Sequence, residues 1–246
     1  MMGVRNGNWR LRMINSDTEA MELSFSLQDN ARVRLNLQPT KPLIRFGEDG
    51  VSRKGEHPAA TSYYLSFTQL ATSGTVTLDG TEHAVTGSSW MDHEIASRQL
   101  SSGLEGWDWT AIQLEDGREI KAYILRREDG SADTYSRIIW IDRDAGVQSF
   151  GPEAFEWERA RWWHSPRTGT RYPIEPVIRT HDPDTDEPIV LRLRPTMDAQ
   201  EILGDVGGIP YWEGACVVID EKTGTILGRA YLELAGYAES LGDQLR

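Results

Sequence analysis

At 246 residues the chain has room for one large β domain or two small ones. A formal net charge of −12 argues against duplex nucleic acid and against an anionic membrane surface as partners, since both need a basic face. The single cysteine, Cys216, excludes an intrachain disulfide and a zinc site built on cysteine pairs.

The opening residues, MMGVRNGNWRLRMIN, lack the apolar stretch of a signal peptide. No run reaches the roughly 20 apolar residues of a membrane-spanning helix. As written the chain reads as cytoplasmic; a periplasmic or secreted protein is the alternative if an N-terminal segment is missing.

Period-two alternation then dominates. Met21, Leu23, Phe25 and Leu27 alternate with polar residues, and Ala31, Val33, Leu35 and Leu37 do the same. The two runs read as a hairpin closed by the QDN turn at 28–30. Residues 39–60 read as loop. Further strands are expected at 62–70, 74–78, 83–85, 107–114, 119–127, 135–141, 158–164, 188–193, 212–219 and 226–234. Turn signals punctuate them: EDG at 48–50, 115–117 and 128–130, LDG at 78–80, DRDAG at 142–146 and KTG at 222–224. Many short strands with such turns predict a sandwich or barrel. The strand GREIKAYILRR is apolar on both parities and should be buried on both faces. Residues 195–210 read as a loop with a short helical turn near 198–203. A polar break at 97–104 separates two β-rich halves, giving domains 1–99 and 104–246.

Nine tryptophans point to an aromatic core, a sugar platform or a cavity for a large apolar ligand. Two stretches matter most, GSSWMDHEI at 87–95 and EGWDWTAIQL at 105–114. Residues two apart in a strand share a face. Trp90, Asp92 and Glu94 therefore go together, with Met91 and His93 opposite. Trp107 and Trp109 share a face, while Asp108 falls in step with Thr110, Ile112 and Leu114. An acid in step with aliphatic residues should be buried and paired, with an arginine such as Arg126.

Asp92 in a tryptophan-walled lumen would keep its proton through desolvation and serve as a general acid. Protonating an alkene leaves a cation that indole and phenol faces stabilise. Water then completes a hydration, or an internal double bond a cyclisation. The structural alternatives are a salt-bridged Asp92, a hydrogen-bonding His93, and Trp162, Trp163 and Trp212 as plain core. The five histidines lack metal-site spacing, and GxSxG, P-loop and GxGxxG motifs are absent, so neither metal nor cofactor is expected. Cys216, within ACVVI, reads as inert core.

The order of motifs SYYLSFTQLATSG, VTGSSWMDHEIAS, GWDWTAIQLEDGREIKAYILR, WWHSPRTGTRYP, YWEGACVV and GRAYLELAGY resembles the carotenoid 1,2-hydratase (hydroxyneurosporene synthase) family. That family takes in bacterial proteins labelled secreted hydrolases, and its fold resembles fungal cyclases that promote Diels–Alder reactions. The resemblance runs from about Trp9 to Tyr237, and Gly7-Asn8-Trp9 matches the Gly-x-Trp opening of lipocalins. It implies an all-β protein of two packed lipocalin-like (calycin) barrels or half-barrels, the first truncated at its N-terminus. It implies Asp92 as proton donor, shaped by His93 and Trp90, with Trp107, Trp109, Tyr64 and Trp212 as walls of the substrate site. Glu213 and Glu233 read as structural. The expected partner is an apolar isoprenoid or polyketide-like molecule, and an open sheet edge invites a homodimer. A glycoside hydrolase with paired carboxylates and a non-catalytic lipocalin-type carrier remain as alternatives.

Overall fold

The computed structural model describes residues 3–27, 30–96, 100–204 and 208–242. It is all-β, as the alternation predicts. Strands β1 (Gly3–Asn6), β2 (Trp9–Met13), β3 (Met21–Leu27), β4 (Ala31–Pro39), β5 (Ile44–Arg45), β6 (Val51–Arg53), β7 (Thr61–Leu78) and β8 (Thr81–Ala96) form one sheet. Strands β9 (Leu104–Leu114), β10 (Glu119–Arg127), β11 (Arg137–Ile141), β12 (Val147–Phe150), β13 (Glu156–His164), β14 (Arg171–His181), β15 (Pro188–Pro195), β16 (Glu201–Ile202), β17 (Tyr211–Asp220) and β18 (Ile226–Ala235) form a second, antiparallel one. By contacts the chain divides into two compact units, Met1–Phe46 with Tyr64–His93, and Gly47–Tyr63 with Glu94–Arg246.

In the first unit, β1 to β4 and β7 pair in the order β1-β2-β3-β4-β7. Leu23 faces Leu11 and Leu35, and Met21 faces Met13 and Leu37, so cross-strand pairing joins the apolar positions on one face. The core is thin. Only Met21, Leu37, Phe67 and Leu70 are buried in its cluster, with Leu11, Met13, Leu23, Leu35, Leu43 and Met91 packed at its margins. Trp9 stacks on Phe25 with ring centroids 3.9 Å apart, yet remains 42% exposed.

The two strands expected at 62–70 and 74–78 are one, β7. Gly74 is not a turn there. It faces Leu35, and a Cβ at this position would meet the Arg34 carbonyl oxygen at 2.1 Å. The glycine permits a close approach of two backbones, which breaks the apolar pattern without breaking the strand. The strand expected at 83–85 extends over β8, which pairs with β7 and holds no buried residue.

The second unit runs β12-β11-β10-β9-β18-β17-β15-β14-β13. Trp140 of β11 and Tyr172, Ile174 and Ile178 of β14 belong to the same core cluster, so the sheet curls until its outer strands share one filling. Ile112, Ile120, Ile124, Trp212, Val218 and Leu232 complete that filling. Strand β10 is buried along all but its last residue, as its double apolar parity predicts.

Strand β14 escaped the sequence reading because RYPIEPVIRTH carries Pro173 and Pro176, which cannot donate to a ladder. The fold accommodates them with register shifts in β13, between Arg159 and Arg161 and between Arg161 and Trp163. No helical turn forms at 198–203. Glu201 and Ile202 instead pair with Trp212 and Tyr211 as β16. The QDN turn, the break at 97–104 and the loop at 195–210 lie partly outside the described residues.

Candidate functional site

Asp92 gathers three donors in the first unit. Alternation along β8 turns Trp90 and Asp92 to one side, and the Trp90 indole Nε1 donates to Asp92 Oδ1 at 2.7 Å. The Ser66 hydroxyl donates to the same oxygen. The Tyr64 hydroxyl donates to Oδ2 at 2.9 Å. Tyr64 and Ser66 are two apart on β7 and are themselves buried, at 6% and 0% exposure. Phe46 packs edge-on against the Tyr64 ring, at 5.5 Å and 81°. Rigid, buried donors thus fix the rotamer of a carboxyl at the surface.

The dry chamber expected around this carboxyl is not there. Asp92 is exposed and Trp90 half-buried. The reason is the strand that carries them, since β8 has no buried residue along its length. His93 is half-buried on the opposite side of β8, and the groups that orient Asp92 are Tyr64, Ser66 and Trp90 instead.

The two oxygens differ chemically. Oδ1 accepts from an indole N–H, which can only donate. Oδ2 has Tyr64, whose hydroxyl can turn and accept. Oδ2 is thus the oxygen whose described side-chain partner can switch between donor and acceptor, whereas Oδ1 keeps an obligate donor beside the Ser66 hydroxyl.

The remaining expected residues lie in the second unit, on two different faces of its sheet. Trp212 is fully buried in the core, and its indole N–H donates to the Asp198 carbonyl at 2.7 Å. It fills the half-barrel instead of lining a chamber. Trp107 and Trp109 are half-buried on the other face, where Trp107 Nε1 donates to Glu233 Oε1 at 2.8 Å. Glu233 stands opposite Trp109 on β9 and opposite Glu213 on β17. Burial raises the Glu213 carboxyl above its ordinary range, against a hydrogen bond with Tyr231 that lowers it. This carboxylate pair was set aside in the sequence. The signal that finds it is the pairing of YWEG with YLELAGY, which puts two like charges directly across a ladder, where structure alone disfavours them.

Asp108 is wholly buried and paired, as expected from its parity. Arg126 reaches it at 3.1 Å and Arg159 at 2.8 Å, and the Tyr237 hydroxyl donates at 2.7 Å. The Arg126 guanidinium lies over the Tyr237 ring at 3.8 Å. Burial and the facing Asp108 push the Tyr237 phenol up, and the two arginines oppose them. Cys216 is buried too, and burial pushes its thiol up to about 12, far from a reactive thiolate.

A cleft of about 710 Å³ in the second unit is lined by His57, Ser101, Arg127, Asp133 and Tyr135, among others. A second, of about 520 Å³, is lined by Asp49, Ser52, Tyr123, Arg137 and Ser149, among others. Neither includes a residue expected from the sequence. Among the described residues no group of three or more His, Cys, Asp or Glu could hold a metal ion, and no helix is long and apolar enough to cross a membrane.

Comparison with known proteins places these features in a family. The model of the AttH-like family matches residues 1–237. A crystal structure of a Nitrosomonas europaea protein assigned to AttH is 30% identical with a TM-score of 0.85, over 96% of this chain and 69% of that one. The crystal structure of kievitone hydratase from Nectria haematococca is 15% identical with a TM-score of 0.71, over 94% of this chain and 69% of that one. At that identity the likeness speaks for the fold alone. No curated protein matches the sequence.

Proposed function

The chain belongs to the AttH-like family, and on that premise we propose that it hydrates or cyclises a carbon–carbon double bond of an apolar isoprenoid or polyketide-like molecule, with Asp92 carrying the proton. The observation behind this reading is the three-donor clamp on Asp92. Such a clamp holds the carboxyl in one orientation and leaves Oδ2 with a partner that can reverse its hydrogen bond.

In a hydration, the Oδ2 proton passes to one alkene carbon. A water oxygen bonds to the neighbouring carbon, and its surplus proton returns to the Asp92 carboxylate, so one water is added overall. In a cyclisation a second double bond captures the cation, and a carbon-bound proton returns to Asp92. The Trp90 and Tyr64 rings flank the carboxyl and suit a developing cation. Because Asp92 is exposed in the free protein, an apolar substrate lying over Trp90 is what excludes water from the carboxyl. Kievitone hydratase is a hydratase of the same fold, and the resemblance of Trp90-Met91-Asp92-His93 to carotenoid 1,2-hydratases supports a proton-donor role for Asp92.

The experiment is a panel of unsaturated isoprenoids incubated in isotopically heavy water and analysed by mass spectrometry. Gain of one labelled water, or formation of a cyclised isomer, is expected with the native chain and not with Asp92→Asn. Equal turnover by Asp92→Asn removes the proton carrier. Equal quenching of tryptophan fluorescence by both proteins, with no product from either, leaves a carrier of apolar ligands.

A further inference from the structure

We propose that the face of the first sheet opposite its apolar core is a docking surface for an anionic lipid bilayer. The ladder registers put five arginines on it. Arg5 pairs directly with Arg10, Arg10 faces Ser24, and Ser24 faces Arg34. Arg34 in turn faces Thr75, so one row crosses five strands. Arg12 and Arg32 stand in the adjacent rows, opposite Glu22 and Ser26. All five arginines are exposed.

The distribution of charge makes this face exceptional within the molecule. The first unit has seven basic and seven acidic residues in its sequence, so the net −12 resides in the second. On β1 to β4 of the first unit the charges are segregated, while Glu82 and Asp92 stand on β8. Glu22, which pairs with Arg12 at 3.5 Å, is the acid that β1 to β4 contribute to this face, while Asp17, Glu19 and Asp79 lie in turns at the strand ends. The net charge weighs against anionic surfaces only where it is felt. At physiological ionic strength charges are screened beyond about 8 Å, and on β1 to β4 five exposed arginines face one acid, Glu22.

The form of the face selects the partner. Neighbouring rows and strands set the guanidinium anchors about 5–7 Å apart. Ser24, Ser26, Thr75 and Thr77 separate them, so relief is low. Planar guanidinium forks match phosphate and carboxylate oxygens in pairs. No aromatic ring stands on these rows to stack on a base, which disfavours single-stranded nucleic acid. A bilayer of anionic headgroups fits a flat arginine lattice.

The test is sedimentation of the intact chain with phosphatidylcholine vesicles, with and without about one-third phosphatidylserine. We expect binding only with phosphatidylserine, weakening with added salt, and at least tenfold weaker for Arg10→Glu/Arg34→Glu. Arg194→Glu/Arg229→Glu makes the same change of net charge on exposed positions of the second unit and should leave binding within about twofold. Unfolding curves for both variants establish that each is folded, and Arg10→Gln/Arg34→Gln gives a milder version of the same loss. Absence of phosphatidylserine-dependent binding overturns the proposal. So does equal weakening by the two charge reversals, retention of duplex DNA without vesicles, or salt-sensitive self-association abolished by Arg10→Glu/Arg34→Glu.

Discussion

Asp92, after Trp90-Met91, and Asp108, between Trp107 and Trp109, stand in similar tryptophan-rich stretches, and the fold treats them oppositely. Asp108 is at 0% exposure, held by two guanidinium groups and a phenol. Asp92 is exposed, held by a phenol, a hydroxyl and an indole. The first arrangement neutralises a charge that the interior cannot tolerate alone. The second orients a carboxyl while leaving it open to another molecule. The composition of the flanking residues does not distinguish them. What does is parity: Asp108 is in step with Ile112 and Leu114, and Asp92 is in step with no aliphatic residue larger than alanine.

This contrast can be broken in graded ways. The largest effect on stability is expected for Asp108→Ala, which leaves two arginines without their counter-charge. A loss of about 3–5 kcal/mol in denaturant unfolding is expected, and a loss under about 1 kcal/mol would mean that water replaces the carboxylate. Asp92→Asn should do the reverse. It should lower product formation by about 10²–10⁴-fold while moving unfolding by less than about 1 kcal/mol. Equal stability losses at both sites would erase the distinction.

Gly74→Ala probes the thin core beside Asp92. Its Cβ collides with the Arg34 carbonyl, so β4 and β7 must part, at a cost of about 1–3 kcal/mol. If these two strands also position Tyr64 and Ser66, the same variant should lower turnover. The smallest effect is Glu213→Gln. Because burial raises the folded-state pKa of Glu213, its native protonated form is favoured at acid pH, and that contribution is lost as pH rises through the raised value. The variant should therefore melt slightly higher than the native protein at neutral pH, with no advantage at about pH 4. A constant difference across that range would show that the carboxyl proton is not involved.

Most strands were legible because each has one apolar face, as β3 and β4 show. The failures share a cause, namely residues whose meaning changes in three dimensions. Pro173 and Pro176 signal a break, yet compensating shifts in β13 let β14 form around them. The gap at 71–73 signals a break between strands, but β7 runs through it, and Gly74 lets β7 touch β4. For the site, the sequence indicated Trp90 and Tyr64 near Asp92, and these are its donors. Ser66 went unnoticed because a serine on a strand carries no signal of its own; it becomes visible only as the residue two beyond Tyr64. By type Trp212 reads either as a wall residue with Trp107 and Trp109 or as plain core with Trp162 and Trp163. Its place on the core face follows from its step with Cys216 and Val218, a cue that residue type obscured.

The segment Gly47–Tyr63 belongs with residues that come later in the chain, although both its neighbours belong with the earlier unit. The polypeptide thus passes from one body to the other at three separate points. Within the later body, Ser52 hydrogen-bonds the buried Tyr123 phenol, Lys54 pairs with Glu94, and Arg53 lies over the Tyr135 ring. Neither body is therefore a cassette that a single cut could release. Expressing residues 94–246 alone would strip away a strap the larger half depends on, and a recombinant swap of halves between relatives would have to exchange an internal stretch as well as an end.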